Sequence, residues 1–508
     1  MVAKVGSNAV LGISGYPVTV EVCLSPGVPT FDIVGLPDSS VKEAKERVRA
    51  AIKNSGLEFP LRRITINLAP AGTKKEGASF DLPIAVGILV NMGLLRLEHI
   101  TDAMFVGELS LDGEIKPVRG VLPMAHSAVS QGVRACFVSC ENAEEAALVD
   151  GLDVYGVKNL SDMIDALLKK NREPVHIDKE TFGNVAEVSQ NLDFADVRGQ
   201  VTAKRAIEVC AAGGHNLIMV GPPGSGKTML AKRIPSVLPP LDFDEIMEVT
   251  KIHSIAGILG GDSLVRRRPF RSPHHSTSSS ALTGGGRNGS PGEISFAHKG
   301  VLFLDELPEF RRDALEALRQ PVEEGKVVIS RAKATVTYPS DFMLVAAMNP
   351  CPCGYYGYSD KCVCSSGVVA KYQRKVSGPL LDRIDVQIDI DAVKYEEITG
   401  DADKGAESSP AVKERVVRCR RLQLERYANE GIKCNAELDA RQVNLYCKLD
   451  EAGKTLLKNA FESLGLSVRA HHKVLRVART IADLDGSGGV LSQHVAEAIS
   501  YRELDRMI

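Results

Sequence analysis

No stretch of this 508-residue chain approaches the run of about 18 apolar residues that a membrane span requires, so no membrane is expected among its partners. The N-terminus, Met1-Val-Ala-Lys-Val-Gly-Ser7, has no basic flank followed by an apolar core, and no secretory leader is expected. An excess of either charge is also missing: 62 basic residues face 64 acidic ones, for a formal net charge of −2. That balance excludes a generally basic nucleic-acid coat but leaves room for local patches. There is no internal repeat and no long low-complexity tract. Seven of the eleven cysteines stand singly (Cys23, Cys136, Cys140, Cys210, Cys419, Cys434, Cys447), with no spacing that suggests a disulfide framework. Scattered thiols fit a reducing cytoplasm, the expected location. What remains is ordinary soluble composition, with 44% apolar and 25% charged residues.

Length alone allows about three domains. Residues 1–170 mix strand-like runs (Val18–Cys23, Ile64–Leu68) with the helical spacing of Ser40–Ile52. Polar stretches at 171–190 and 393–409 are expected to be linkers. Between them, residues 191–392 alternate strands and helices, the pattern of a parallel sheet with a ligand at its carboxyl edge. The last part, 410–508, is mostly helical.

Residues Gly221, Pro222, Pro223, Gly224, Ser225, Gly226, Lys227 and Thr228 follow the apolar run Leu217–Val220 and precede Met229-Leu-Ala-Lys-Arg. This is a strand, a glycine loop and a helix start. Backbone N–H groups of such a loop converge on phosphate oxygens. A lysine at this spacing reaches the β- and γ-phosphates, and the threonine hydroxyl ligates Mg²⁺. About 80 residues on, the apolar strand Val301–Leu304 ends in Asp305 and Glu306. The first acid can complete the Mg²⁺ shell and the second polarise the attacking water. Asn349 closes another strand, Phe342–Met348, where it could orient that water. Arg383 lies just before the strand Val386–Ile390, where a guanidinium could reach a γ-phosphate across a subunit boundary. The competing reading is a surface ion pair with Asp382 or Asp385. Arg469 opens a helical stretch and could touch nucleotide from the terminal segment, with Arg476 and Arg479 as competitors.

Cys351, Cys353, Cys362 and Cys364 give C-x-C-x₈-C-x-C. Four thiolates so close can form a tetrahedral site, which favours zinc, with iron–sulfur and free thiols left open. The stretch 251–300 carries Lys251, Arg266, Arg267, Arg268, Arg271, Arg287 and Lys299 against only Asp262 and Glu293. A local excess like this suits a phosphate backbone. A hairpin is expected over Val327–Tyr338, with Arg331 and Lys333 near its tip. His274 and His275 lack metal-ligand spacing and read as ordinary loop residues.

Taken together, these motifs resemble an AAA+ ATPase and, more narrowly, the YifB/ComM family of magnesium-chelatase-like AAA+ proteins. The segments His298–Phe310, Met348–Gly354, Gly378–Asp385, Ser467–Arg469 and Val477–Leu484 carry the resemblance. It spans nearly the whole chain. It implies an α/β protein with an AAA+ P-loop parallel-sheet core and a C-terminal helical lid. It further implies a first sensor at Asn349, a trans-acting arginine finger at Arg383 and a second sensor at Arg469. Those roles require a homo-oligomeric ring, expected to be a hexamer. Lys75–Ser79 and Phe105–Val118 resemble the Lon protease domain, whose fold is of the ribosomal S5 domain 2-like α+β type. Ser79 falls on that family's nucleophile position, but Leu122 occupies the position of its lysine base. Lys116 is out of register and Arg119 cannot deprotonate a serine. A binding role toward a protein partner, without peptidase activity, is therefore expected of this domain.

The implied function is an ATP- and Mg²⁺-dependent ring motor acting on DNA, by branch migration or helicase-type remodelling. The alternatives are a chelatase-type motor that remodels a partner protein and a nucleotide-gated scaffold.

Overall fold

The computed structural model describes residues 2–169, 172–177, 192–259, 264–286, 289–330, 335–391 and 407–502. Most of both expected linkers lies outside these residues, as do Asp262, Arg287, Arg331 and Lys333. The chain divides into two compact units, Met1–Val185 with Asp242–Arg266, and Ala186–Leu241 with Arg267–Ile508. The described helices include none long and apolar enough to cross a membrane.

The first unit is built on a mixed seven-stranded sheet. Its strands are β1 (Val2–Leu11), β2 (Ser14–Ser25), β3 (Phe31–Val34), β4 (Arg63–Ala69), β5 (Ala103–Phe105), β6 (Ala135–Ser139) and β7 (Asp153–Val157), in the order β3-β4-β2-β1-β5-β6-β7. β1 and β2 form an antiparallel hairpin with Val5 opposite Val20. α1 (Ser39–Asn54) starts where the Asp38 side chain accepts the Val41 N–H, and it buries Val41, Ala44, Val48, Ala51 and Ile52. Those residues recur at helical spacing, which gives one apolar stripe. α2 (Asp81–Asn91) is apolar on nearly every side and accordingly buried from Asp81 to Val90. At Gly87 an added Cβ would fall 2.4 Å from Val22 Cγ2, so only glycine lets this helix lie so close to the sheet.

The helix Phe243–Ala256 interrupts the second unit in sequence but packs in the first. Asp242 and Glu245 form a reciprocal capping box at its start. Toward its end Ser254 donates to Glu145, whose other oxygen accepts from Asn142 Nδ2. Burial pushes the Glu145 carboxyl above the usual carboxylate range, against these hydrogen bonds. Gly257 ends the helix with φ +70°, and a Cβ there would meet the Arg119 guanidinium.

The second unit carries a five-stranded sheet of β8 (Leu217–Val220), β9 (Phe270–Arg271), β10 (Val301–Leu304), β11 (Met343–Met348) and β12 (Val386–Asp389), in the order β9-β10-β11-β8-β12. All pairings are parallel. Parallel strands covered on both faces must be apolar on both, and Leu-Ile-Met-Val and Val-Leu-Phe-Leu are fully buried. β8 and β11 run in register from Leu217 opposite Val345 to Val220 opposite Met348, so the loops after them emerge side by side. The expected hairpin pairs Lys326–Ser330 with Thr335–Pro339. The helical C-terminal part includes α3 (Ser409–Arg426), α4 (Glu451–Leu464), α5 (Val468–Leu484) and α6 (Ser492–Ser500), with the shorter helix Ala440–Tyr446 between the first two. Its inward residues, among them Val416, Leu457, Val474, Ile481 and Val495, join one core with residues of the sheet such as Leu217 and Val386.

Candidate nucleotide site

The phosphate loop leaves β8 at Gly221, whose missing side chain is a steric demand: a Cβ would lie 2.3 Å from the Ile390 carbonyl oxygen. Gly226, with φ +92°, turns the loop into the short helix Lys227–Ala231. Lys227 is buried, and its ammonium donates to the Gly221 and Pro222 carbonyls at 2.7 and 2.8 Å. It also reaches Asn349 Oδ1 at 3.3 Å, across from the end of β8 to the end of β11. Burial holds the Lys227 pKa below that of a free lysine, against the attraction of Asp305. The neighbouring Thr228 hydroxyl donates to Asp305 Oδ2 at 2.7 Å. Three loops that are far apart in sequence thus converge at the carboxyl edge of one sheet.

Glu306 follows Asp305 in left-handed backbone, φ +53° and ψ +45°, and its N–H is held by Asp305 Oδ1 at 2.9 Å. A non-glycine residue in this region is uncommon and points the side chain away from the strand direction. The Glu306 carboxylate meets His275, with Nδ1 3.1 Å from Oε2. His275 lies in a turn, and this contact adds to its reading as a loop residue. The sequence carries no local signal for that contact, because Phe270–Arg271 becomes the neighbour of β10 only through the strand order. His274 lies against His275 with ring centroids 4.0 Å apart and planes tilted by 35°, and it touches Ser276, not the acid.

Arg383 is held within the chain by Glu323 and by the carbonyls of Arg319 (3.1 Å) and Pro379 (2.6 Å). Its ion-pair partner is therefore neither Asp382 nor Asp385. Asp385 is engaged elsewhere, by Lys473 at 3.1 Å and His215 at 3.5 Å. Arg469 is exposed in the first turn of α5, whose N-terminus is capped by Ser467. Its rival Arg479 is buried and occupied by Asp483 and the Ser487 and Gly488 carbonyls. The remaining rival, Arg476, has its Nε buried without a hydrogen-bond partner.

Two residues beyond Asn349 begins the cysteine cluster. The sulfurs of Cys351, Cys353, Cys362 and Cys364 all lie within 4.8 Å of one another. Cys351 is 3.3 Å from Cys353 and 3.9 Å from Cys362. Four thiolates around zinc at about 2.3 Å would be about 3.8 Å apart, so this set fits a tetrahedral ion. Donation by the Tyr355 N–H and by Cys351 pulls the Cys353 thiol down to about 6, while burial and the facing thiols push Cys362 up to about 11 and Cys364 upward. Gly354, with φ +87°, brings this loop onto the phosphate loop: a Cβ there would fall 2.5 Å from Pro223 Cδ.

Several cations of the basic stretch have structural partners. Arg271 forms a two-pronged pair with Glu293 (2.7 and 2.8 Å), and Lys299 pairs with Asp341. Arg268 donates to the carbonyls of Pro239, Pro240 and Lys299. In the first unit, Ser79 and Leu122 are both buried, and the Leu122 N–H goes to Glu145. The Lys75 ammonium is committed to the Pro70 and Thr73 carbonyls, and Lys116 pairs with Glu114.

Comparison with known proteins agrees with this architecture. Residues 193–398 match the family described as magnesium chelatase, subunit ChlI, and residues 406–502 match its C-terminal family. Residues 20–142 match a further family described as subunit ChlI of Mg-chelatase. The chain is 43% identical over 508 residues to the competence protein ComM of Haemophilus influenzae, covering 100% of this chain and 98% of that one. It is equally 43% identical over 505 residues to the uncharacterized protein YifB of Escherichia coli, with 99% and 97% covered. Lon protease 2 of Bacillus subtilis is 30% identical over 145 residues, which is 28% of this chain and 26% of the protease.

Proposed function

The chain belongs to the YifB/ComM family of magnesium-chelatase-like AAA+ proteins, and on that premise we propose that it is an ATP-hydrolysing ring motor acting on DNA. Membership points to a nucleotide-hydrolysing ATPase. The observation that carries the reading is the pair of contacts Thr228–Asp305 and Lys227–Asn349, which ties three strand ends into one site. In this reading the N–H groups of Gly224, Ser225 and Gly226 cradle the phosphates. Lys227 exchanges its carbonyl partners for β- and γ-phosphate oxygens. Thr228 and Asp305 hold Mg²⁺, which when bound neutralises charge on the phosphates. Glu306 accepts the proton of the attacking water while Asn349 orients that water. Arg383 of one protomer leaves Glu323 to serve the nucleotide of the next, and Arg469 contacts nucleotide from the lid.

A DNA substrate is supported by the competence designation of the Haemophilus relative and by the local excess of basic residues over 251–300. The basic insertion over 251–300 and the hairpin carrying Arg331 and Lys333 are assigned that role. Phosphate contacts predict binding that weakens as salt rises. The second reading, a chelatase-type motor that remodels a partner protein, rests on the match of residues 193–398 to the magnesium chelatase family, and the Lon-like first unit counts against it. We also assign zinc to the four cysteines, as a clip that shapes the loop after Asn349.

The decisive measurement is the ATPase rate with and without single-stranded, duplex and branched DNA at low and moderate salt. Stimulation that fades with salt supports the DNA motor. Stimulation by a co-purifying protein, with none by DNA, transfers the function to the second reading. Elemental analysis of freshly reduced protein should return about one zinc per chain, and a value near zero rejects the clip.

A further inference from the structure

We infer that metal held by Cys351, Cys353, Cys362 and Cys364 braces the phosphate loop, so that loading and loss of zinc set the affinity of the site for nucleotide. This rests on the reading of the four cysteines as a zinc clip. The stretch between Asn349 and the helix Ser366–Gln373 holds only turns, and of residues 351–365 just Cys351 and Gly354 are buried. Val363 is 88% exposed. So little apolar burial cannot offset the entropy of holding one shape. The Gly354 N–H on the Cys351 carbonyl and the Cys362 N–H on the Ser359 carbonyl pin single turns, and the gathered sulfurs close the loop across them. Thiolates brought this close repel one another unless a cation sits among them, so the shape that gathers them is the metal-bound one.

That loop leans on the nucleotide site. Gly354 has left-handed backbone, φ +87°, and an added Cβ would fall 2.5 Å from Pro223 Cδ and 2.6 Å from its Cγ. Pro223 immediately precedes Gly224, Ser225 and Gly226, whose N–H groups are assigned to the phosphates. A second path runs through the sheet. The Met348 carbonyl accepts the Gly221 N–H at 3.3 Å, Asn349 accepts from Lys227, and Cys351 follows two residues later. On its far side the loop is moored by Gln373, whose amide donates to the Pro350 carbonyl at 3.2 Å. The phosphate loop is therefore braced at Gly221 through β11 and at Pro223 through Gly354. Loss of metal slackens the second brace, because Gly354 directly follows Cys353 in the loop that the sulfurs close. Phosphate binding depends on N–H groups aimed together, and it weakens when their support shifts.

The test uses freshly reduced full-length protein, with binding of a fluorescent ATP analogue followed at constant Mg²⁺. Removing zinc with a chelator selective for it over magnesium should weaken binding about 10-fold, the weight of roughly one hydrogen bond to a charged group. Adding Zn²⁺ alone should restore it. Cobalt(II) in its place should show the absorption of a tetrahedral thiolate site and restore binding too. Gly354→Ala separates the brace from the metal. It should keep about one zinc per chain yet bind the analogue several-fold more weakly, because its Cβ displaces Pro223. Unchanged affinity after zinc removal, or a Gly354→Ala protein that binds as wild type, would overturn the coupling and leave the clip standing. A collapse of helix content on chelation, seen by circular dichroism, would also overturn it, since the metal would then hold the fold rather than the loop. Reduced protein with no zinc and no cobalt absorption removes the clip itself. Failure of the zinc-loaded wild type to bind the analogue would sink the nucleotide site on which both stand.

Discussion

The carboxyl and amino edges of the five-stranded sheet treat their polar side chains in opposite ways. At the carboxyl edge, Lys227 is bound to carbonyls, Thr228 to Asp305, and Glu306 lies beside a histidine on a loop. Each of these contacts can be traded for a phosphate, a metal ion or a water. At the amino edge the contacts close on one another. Asn216, just before β8, gives its N–H to Asp385, its amide to the Arg383 carbonyl, and receives the Leu344 N–H. Asp385 takes Lys473 from α5 and His215, which in turn reaches Thr480 at 2.8 Å. Asn435 continues the chain from Thr480 to Asp483, which is clamped by Arg426 and Arg479. One edge is poised for ligand, and the other fastens the lid to the segment that carries Arg383. A sheet organised this way can lose and regain nucleotide at one end without disturbing the joint at the other.

If the comparison holds, changes at the two edges should separate activity from stability. The largest effect is expected at Arg383. Its replacement by Ala should cut turnover by about 10³-fold or more, the usual weight of an arginine finger. Because the finger is assigned to a neighbour, mixing Arg383→Ala with inactive Glu306→Gln protein should restore part of the activity. Some interfaces would then combine an intact base with an intact finger. A mixture as inactive as its components would place Arg383 in a structural role. Glu306→Gln alone should lose about 10²–10⁴-fold in kcat while still binding ATP.

At the amino edge the expected loss is of folding free energy. Asp385→Ala leaves Lys473 buried without its counter-charge, which costs about 3–5 kcal/mol. Chemical denaturation followed by circular dichroism checks this, and an unchanged midpoint would break the comparison. The pH dependence has a definite sign. Burial raises the Asp385 carboxyl, but Lys473 and His215 outweigh it and hold the group far below its ordinary value. The stabilisation is thus fully present above the unfolded value of about 3.9 and is lost as pH falls toward the depressed folded value. The gap in midpoint between wild type and Asp385→Asn should be constant from about pH 6 to 8 and narrow below about pH 4.

Much of the carboxyl edge was legible in the sequence because its chemistry is local. A glycine loop between strand and helix, two acids after an apolar strand and an asparagine after another each announce themselves within a few residues. The amino edge was not, because its members (Asn216, Asp385, Asn435, Lys473, Thr480 and Asp483) are scattered and meet only through strand order and lid packing. The place of His275 beside Glu306 was hidden for a related reason. It depends on β9 lying next to β10, which spacing along the chain does not reveal. The allegiance of Phe243–Ala256 was equally hidden. The helix has its own cap and apolar face, and nothing local says that this face packs in the first unit rather than the second. The four cysteines were legible as a group, since a cluster within one loop needs no topology.

The smallest expected effect is the most direct test of the contrast. Lys227 is buried with its pKa lowered by desolvation, so the nucleotide-free fold holds a charge at some cost. Four polar contacts, two of them to loop carbonyls, compensate that burial only in part. Lys227→Met keeps the length and volume of the side chain and removes the charge. Without nucleotide, its thermal midpoint should match wild type or exceed it by a few degrees, corresponding to roughly 1 kcal/mol or less. Adding ATP and Mg²⁺ at about 100 times Kd should stabilise wild type by about 2.7 kcal/mol through binding to the folded state alone. The variant should show almost none of that shift. A Lys227→Met protein that is markedly less stable without nucleotide would mean that the loop depends on its lysine as the amino edge depends on Asp385. The two ends of the sheet would then not be opposites.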